Sequence, residues 1–419
     1  MNPTMTEHNN TENKSADHSI TAQSIRQAHQ LVSPNLTSTP LIVSHTLSDM
    51  CGCETLFKLE NLQMTGSFKE RGALNKLESL TSDERARGVI AASAGNHGQA
   101  VAYHARRMGI STKIIMPKHS PLIKVRSTEH WGAEVILEGD TFDDAYAHSQ
   151  HIAKQEHRVY LHPFDDRYVI EGQGTVAIDI LEHPLASDID AILVPVGGGG
   201  LISGVAIYAK AVNPDIKIIG VEETSCDAMH QSLQSGQVIK LPAAPIIADG
   251  IAVREVAPGN LATVNRLVDE MVQVTSDEIA NAVMLMLEIE KLAIEGAAAV
   301  TLAALLNRRL PQLINKKVVS IISGGNIDVN LISKIINRGL TFDGRIVTLN
   351  SMIIDRPGAL ERMLKIFSEA GANVLEVHHH RYSGAAPIGE IGVSITIETR
   401  NEDHIGQIKK LLLKGGYAI

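Results

Sequence analysis

Aliphatic runs alternate with amphipathic stretches along most of the chain, from about residue 21 to residue 340. The strand-like runs are VIAAS (89–93), TKIIMP (112–117), AEVILE (133–138), AILVPV (191–196), IKIIGVE (216–222) and VVSIIS (318–323). Stretches with a helical period follow most of them, such as 97–109 and 201–212. Buried strands joined by helices predict an α/β fold whose parallel sheets are covered on both faces. Because ligands of such folds bind at the carboxyl ends of strands, we expect the chemistry where strands run into glycine-rich turns.

The pattern changes at about residue 341. Strand-like and helix-like segments now follow in the order 345–354, 359–371, 373–382, 390–399 and 403–416, with YAI (417–419) as a short final strand. This βαββαβ order predicts a small ferredoxin-like domain over 341–419. Only alternate residues of a strand share a face, so His378-His379-His380 is not expected to bind a metal.

Composition narrows the classes of protein. Of 419 residues, 38 are basic and 47 acidic, a net charge of −9 with no basic stripe, so nucleic acid is not an expected partner. The polar residues 1–20 predict a flexible N-terminus. The uncharged stretch 191–209 has four glycines in its middle, which argues against a membrane helix. Three cysteines suit a reducing compartment, and we expect a cytoplasmic protein without a zinc site.

A lysine opens a predicted helix in TGSFKERG (65–72). Ser67 and Glu70 have the spacing of a capping box, which would begin the helix there. Lys69 would then face the positive end of the helix dipole, which disfavours its ammonium form. A neutral amine is what Schiff-base chemistry requires. The alternative interpretation is an ordinary capped helix with a solvated lysine.

Four consecutive glycines, Gly197 to Gly200, stand between a buried strand and a helix that begins near Leu201. Without side chains, the backbone N–H groups can converge on an anion at the start of the helix. The run fits neither the dinucleotide-binding nor the Walker pattern, so it predicts a site for a single phosphate. The alternative, a flexible linker, is disfavoured because both flanks are apolar.

Two further turns end buried strands. SAGNH (93–97) predicts a second helix start that accepts an anion such as a carboxylate, although Asn96 could equally be a plain N-cap. SGGN (323–326) alone is an ordinary turn. Together with Lys69 and the four-glycine turn, these segments suit one compact ligand that carries a phosphate, a ring nitrogen and an aldehyde.

The motifs GSFKERGA, SAGNHGQA, HPFDD (162–166), EGQGT (171–175), PVGGGGL and SGGN, in this order, resemble the threonine/serine dehydratases of pyridoxal 5′-phosphate (PLP)-dependent fold type II. The resemblance implies a two-lobed catalytic domain over 21–340, with a smaller lobe of roughly 60–160 inserted in the larger. The tail resembles an ACT domain, a regulatory module that often binds amino acids, and its DRPGAL loop is typical. The implied reaction is deamination of L-threonine to 2-oxobutanoate and ammonia, with L-serine to pyruvate as a secondary activity.

The resemblance also implies the roles of individual residues. Lys69 would bind the cofactor covalently, Phe68 would pack beside its ring and Ser323 would face the pyridine nitrogen. The full set of cofactor contacts is Lys69, Phe68, Asn96, Gly197, Gly198, Gly199, Gly200, Leu201 and Ser323. The substrate contacts are Ser93, Ala94, Gly95, His97, Gly250 and Glu295. Effector contacts in the tail are Asp355, Pro357, Gly358 and Asn373, and the family suggests a homo-oligomer, either dimer or tetramer.

Other functions stay open beside this one. Serine racemases of this fold have a serine as second acid/base where this chain has Ala94. They also bind a divalent cation through a glutamate and an aspartate, at positions where this chain has Glu222 and Ala228, so no metal is expected. A β-replacement synthase of the same fold is a further alternative. A non-catalytic amino-acid sensor would require loss of Lys69 or of the glycine turn, and both are present.

Overall fold

The computed structural model describes residues 20–380 and 387–419. The predicted flexible N-terminus therefore lies outside the described residues, except for Ile20. The strands are β1 Leu41–Ser44, β2 Glu54–Leu59, β3 Val89–Ala92, β4 Thr112–Met116, β5 Glu134–Leu137, β6 Val159–Tyr160, β7 Ala191–Pro195, β8 Lys217–Glu223, β9 Glu270–Val274, β10 Lys317–Ile322, β11 Ile346–Ile354, β12 Asn373–His380 and β13 Glu390–Glu398.

Helices connect most of these strands. They are α1 Ala22–Val32, α2 His45–Cys51, α3 Lys69–Glu78, α4 Ser82–Arg87, α5 Asn96–Arg107, α6 Leu122–His130, α7 Phe142–Gln155, α8 Arg167–Leu181, α9 Gly200–Val212, α10 Ala228–Ser235, α11 Pro258–Leu267, α12 Ser276–Leu285, α13 Gly296–Leu306, α14 Val329–Phe342, α15 Ala359–Glu369 and α16 Glu402–Lys414. Side-chain capping boxes fix several starts, for example Thr81 with Glu84 and Thr275 with Glu278. Within the described ranges, no helix is long and apolar enough to cross a membrane.

The larger sheet has the order β1-β2-β10-β7-β8-β9. Its central strands are parallel and almost wholly buried, as the uncharged runs predict. The expectation of purely parallel sheets is wrong at one edge, where β1 pairs antiparallel with β2. Only the short helix α2 joins these two strands, and α/β sheets commonly carry one antiparallel edge strand.

The smaller sheet is parallel and has the order β5-β4-β3-β6. All four strands come from residues 89–160, which the chain places between β2 and β7 of the larger sheet. The carboxyl ends of β3, β7 and β10 lead into the turns 93–96, 196–199 and 323–326. The turns that were predicted to carry the chemistry therefore follow the carboxyl ends of strands in both sheets.

The C-terminal unit is an antiparallel sheet of order β11-β13-β12, with α15 and α16 on one face. Met363, Phe367 and Ile408 are fully buried between sheet and helices. The predicted sixth element is wrong, because Tyr417–Ile419 forms no strand. The hydroxyl of Ser351 in β11 donates to Ala418 O at 2.6 Å, which is a side-chain contact and not a strand pairing. Arg381 and Tyr382 of the predicted second strand lie outside the described residues.

The predicted boundary between residues 340 and 341 falls in the last turn of α14. Helix α14 continues to Phe342, and β11 begins at Ile346. The linking turn contains Gly344 in the left-handed region, where the missing side chain leaves room for Glu402.

Candidate active site

Two loops that are far apart in the sequence hold each other in front of helix α3. Ser67 and Gly324 form an isolated antiparallel bridge, and Phe68 N donates to Ser323 O at 3.0 Å. Gly66 has φ +78°, and a side chain there would collide with Asn326. The motifs that contain Lys69 and Ser323 therefore form one structural unit.

The predicted capping box of α3 is wrong. Glu70 turns away from Ser67 and accepts from the backbone N–H and hydroxyl of Thr65, while the imidazole of His104 lies 3.2 Å from its other oxygen. The buried Ser67 hydroxyl is left without a partner among the described residues. Burial of Glu70 beside His104 outweighs the local capping pattern, because a buried carboxylate needs strong partners.

Lys69 is the first residue of α3; the residue as a whole is partly buried, and its amine lies in the interior. Its Nζ donates to Pro163 O at 3.0 Å and lies 5.1 Å from the centre of the Phe68 ring. Burial lowers the pKa of Lys69 to about 8, while the nearby Glu295 acts to raise it. At this pKa about a tenth of the amine is neutral at pH 7 and about half at pH 8, far more than for a solvated lysine, because burial disfavours the ammonium form.

The four-glycine turn encloses the same space at the start of α9. Gly199 has φ +87°, and a side chain on Gly198 would enter the ring of Phe164. Within the described chain, the backbone N–H groups of Gly198, Gly199, Gly200 and Leu201 have no hydrogen-bond partner. Unpaired N–H groups at the start of a 13-residue helix form a site for an anion.

Asn260 holds this turn in place. Its buried side-chain amide donates to Gly198 O at 2.8 Å and to Phe164 O at 2.9 Å. The amide thus ties the glycine turn to the loop that faces Lys69. No motif around Asn260 indicates this role, since it lies in the first turns of the amphipathic helix α11.

Asn96 and Glu295 meet across the cleft between the smaller and the larger sheet. Asn96 Nδ2 donates to both carboxylate oxygens of Glu295, at 2.8 and 3.0 Å, and Asn326 Nδ2 donates to Asn96 Oδ1 at 2.8 Å. Burial, followed by the nearby Asp249, raises the pKa of Glu295 to about 7. An acid that titrates near neutrality therefore lies beside Lys69.

The remaining residues of SAGNH lie behind this contact. The Ser93 hydroxyl accepts from Gly95 N and Gly98 N, at 3.2 and 3.1 Å, and so caps α5 from inside the turn. His97 is buried, donates from Nε2 to Leu161 O at 2.9 Å, and burial lowers its pKa to about 3. Its Nδ1 has no partner within the described residues. The neutral His97 thus supports the loop from behind.

One cavity collects most of the predicted site. Its lining includes every predicted cofactor contact, namely Phe68, Lys69, Asn96, Gly197, Gly198, Gly199, Gly200, Leu201 and Ser323, together with Gly250 and Glu295. Four predicted substrate contacts, Ser93, Ala94, Gly95 and His97, do not line it. Lining residues that the prediction missed are Pro163, Phe164, Gln173, Pro195, Ile251, Val253 and Ala297. The motifs HPFDD and EGQGT could have indicated Phe164 and Gln173.

The residues in this cavity fit PLP. The open N–H groups of the glycine turn suit its phosphate, and the buried amine of Lys69 suits its aldehyde. The buried Gln173 Nε2 and the Ser323 hydroxyl have no partners within the described ranges and are available to a polar ligand. The free space in this cavity is narrow, about 40 Å³.

A buried ion network anchors the helix that carries Lys69. Arg71 donates twice to Glu60, at 2.7 and 2.8 Å, and once to Asp179 at 2.5 Å. Burial alone would raise the pKa of Glu60, but the guanidinium of Arg71 holds it below its ordinary value. Arg71 is 1% exposed and Glu60 is 0% exposed, so this pairing fixes α3 against β2 and α8.

Glu222, which the resemblance placed at a candidate metal position, caps a helix. Glu222 accepts from Met229 N at 3.0 Å and from His230 N at 2.8 Å, which caps α10. Burial raises the pKa of Glu222 to about 8. The described residues contain no group of three or more His, Cys, Asp or Glu side chains placed to bind one ion.

Comparison with known families gives the class of protein. A family model for pyridoxal-phosphate dependent enzymes matches residues 32–324, which include all the predicted cofactor contacts. The chain therefore belongs to the pyridoxal-phosphate dependent enzymes, and PLP is its cofactor.

Individual relatives narrow this class. The L-threonine ammonia-lyase of Thermotoga maritima is 46% identical over 402 residues, 96% of this chain and 99% of that protein, so the similarity extends into the C-terminal unit. The processed threonine deaminase isoform 2 of Solanum lycopersicum superposes with a TM-score of 0.72 at 37% identity, over 75% of this chain and 87% of that one. Maize serine racemase superposes with the same TM-score of 0.72 at 35% identity, over 77% of this chain and 98% of that one.

Proposed function

We propose that this chain is an ammonia-lyase that converts L-threonine to 2-oxobutanoate and ammonia, with L-serine to pyruvate as a secondary reaction. The observation that carries the proposal is the one cavity that holds the buried amine of Lys69, the open glycine turn and the hydroxyl of Ser323. The name of the Thermotoga relative, which matches along nearly its whole length, supports threonine as the substrate. Three buried, unpaired cysteines support the expected cytoplasmic location.

Each site residue has a role in this reaction. The N–H groups from Gly198 to Leu201 bind the phosphate, and the Ser323 hydroxyl pairs with the ring nitrogen. When bound, PLP supplies an electron sink for the charge that develops at the substrate α-carbon. Lys69 would hold the cofactor through its amine, and its Nζ would be the group that accepts the α-proton of the substrate. A pKa of about 8 suits this amine to both tasks.

The substrate carboxylate is assigned to the start of α5. The N–H groups of Asn96 and His97 have no partner within the described residues, because Ser93 takes up only those of Gly95 and Gly98. The side chain of Asn96, which bonds to Glu295 and Asn326, would contact the phenolic oxygen of the cofactor. Glu295 and Gly250 then lie where the side chain of the substrate would be.

Racemisation is the second candidate, favoured by the similarity to serine racemases. It requires a second acid/base on the opposite face of the substrate, and Ala94 has no hydroxyl to supply it. The test is a coupled 2-oxo acid assay with L-threonine, L-serine and their D-forms, together with a chirality assay. We expect 2-oxobutanoate from L-threonine, and none from the Lys69→Ala variant. Dominant formation of D-serine, or normal turnover by the variant, would contradict the proposal.

Regulation through an ACT-like C-terminal unit is the second part of the proposal. The predicted effector contacts Asp355, Pro357 and Gly358 follow β11, whereas Asn373 begins β12 at the other end of the sheet. A nine-residue strand separates these ends by roughly 27 Å. A single chain therefore cannot bring all four residues to one small ligand.

Pairing of two chains would resolve this separation. Strand β12 is an edge strand whose Leu375 and Val377 are 46% and 36% exposed. Antiparallel pairing with β12 of a second copy places the Asn373 end of one chain beside the Asp355 end of the other. We therefore assign the effector, a small amino acid, to an interface between two copies of a homo-oligomer.

The test is Val377→Lys, with Leu411→Lys on the exposed face of α16 as its control. The first variant should lose any change in rate caused by isoleucine or valine, and the control should keep it. If isoleucine or valine still changed the rate of Val377→Lys, or of a chain cut after Gly344, the C-terminal unit would not be the regulatory site.

A further inference from the structure

A second cavity, of about 280 Å³, adjoins the first, and Glu295 lines both. It lies where α6 of the smaller lobe, the larger lobe and the first turns of α14 meet. Its volume is just below that of ordinary small-molecule sites, which begin at roughly 300 Å³. The position suggests a chamber through which a ligand passes on its way to Lys69.

The walls of this chamber carry charges of both signs. Lys124 of α6 and Asp249 of the larger lobe form an ion pair of 2.5 Å across the cleft. Asp328 accepts from Asn330 N at 2.9 Å and caps α14. Lys334, one turn further along α14, is exposed and has no ion pair within the described chain. Lys334 is thus the cation that remains available to an anion.

The arrangement has a direction. Glu295 is 4% exposed and stands at the inner wall toward Lys69, whereas the exposed Lys334 stands at the outer wall. The aliphatic residues Ile247 and Leu331 also line the chamber. A small zwitterion in this field turns its ammonium inward and its carboxylate outward. The amino group would then reach the cavity of Lys69 first.

We propose that this chamber binds the amino-acid substrate before catalysis, with the α-carboxylate on Lys334 and the ammonium toward Glu295 and Asp249. This inference deepens the proposed function, since it assumes that the ligand is an α-amino acid. For the substrate to move from the chamber to Lys69, the hydrogen bonds between Asn96 and Glu295 must open. The ion pair between Lys124 and Asp249 spans the same cleft.

The test compares Lys334→Met and Lys334→Glu with Lys154→Met, an exposed lysine on α7 that is remote from the chamber. Lys334→Met should lower kcat/KM for L-threonine by about threefold, as for one partly exposed ion pair, and Lys334→Glu by more. The kcat should not change, and the loss should shrink as ionic strength rises. Lys154→Met should match the wild type.

A second measurement does not depend on turnover. In the Lys69→Ala background, calorimetric binding of L-threonine should weaken when Lys334→Glu is added. The proposal would be overturned by equal kcat/KM in all variants, by a loss in kcat alone, or by an unchanged calorimetric affinity. A wild type that binds L-threonine through Lys334 without converting it would reject the proposed function and leave the chamber standing.

Discussion

The two ends of this chain use polar side chains in opposite ways. In the catalytic region, the buried Arg71 and Glu60 pair with each other, the amine of Lys69 donates to backbone, and the buried Glu295 accepts from Asn96. Burial lowers the pKa of Lys69 and raises that of Glu295, whereas charge pairing outweighs burial for Arg71 and Glu60. On the open face of the C-terminal sheet, the hydroxyl of the partly exposed Ser394 donates to the exposed Asn350 at 2.6 Å. Buried groups keep one geometry because breaking it leaves a charge unpaired, whereas exposed groups remain free to bind from outside.

The largest effect should come from the buried network. Arg71→Met leaves Glu60 and Asp179 without their guanidinium partner and should lower the free energy of unfolding by about 3–5 kcal/mol. Arg338→Met, which breaks the surface pair with Asp277, should cost about 0–1 kcal/mol. Denaturant unfolding of both variants provides the measurement. If both variants lost the same free energy of unfolding, buried and exposed ion pairs would not differ in their contribution to stability.

The next effect concerns the clamp on the glycine turn. Asn260→Ala removes two buried hydrogen bonds, each contributing about 1 kcal/mol, and should raise the Kd for PLP by roughly tenfold or more. Asn213→Ala, at the opposite end of α9, is the matched control and should leave the Kd unchanged. Fluorescence titration of the apoprotein measures both. The clamp would be excluded if the two variants bound PLP equally well.

The smallest effect is a dependence on pH. Burial lowers the pKa of Lys69 to about 8, so its neutral, reactive form predominates above that pH and disappears below it. The rate at which apoprotein takes up PLP, followed by visible absorbance, should rise with pH and level off above about 8. A solvated lysine would instead continue to gain reactivity toward about pH 10.4. A rate that keeps rising to that pH would contradict the burial of the amine.

The sequence predicted the catalytic site where its signals are local. Buried strand runs followed by glycines placed Gly197 to Gly200 and Ser323 at strand ends, and a helix-start pattern placed Lys69 at the first turn of a helix. These residues do share one cavity. Local patterns failed where a distant residue competes: Glu70 bonds to Thr65 and lies beside His104 instead of capping α3.

Other features had no signal in the sequence. The Arg71 network joins three chain segments, and Asn260 lies in an unremarkable amphipathic helix, so only the folded chain brings their partners together. The sequence predicted the four effector residues as one site, but Asn373 and Asp355 lie at opposite ends of the C-terminal sheet. The final strand was predicted as the last element of the βαββαβ order, and Tyr417–Ile419 pairs with no strand among the described residues.

The most direct test of the central claim is the chemical identity of the lysine that carries the cofactor. Holoenzyme is treated with a hydride reductant, digested and analysed by mass spectrometry. The account predicts the mass of reduced PLP on the peptide that contains Lys69, and its loss in Lys69→Ala. Cofactor on another lysine, such as Lys124 or Lys58, or on none at all, would contradict it.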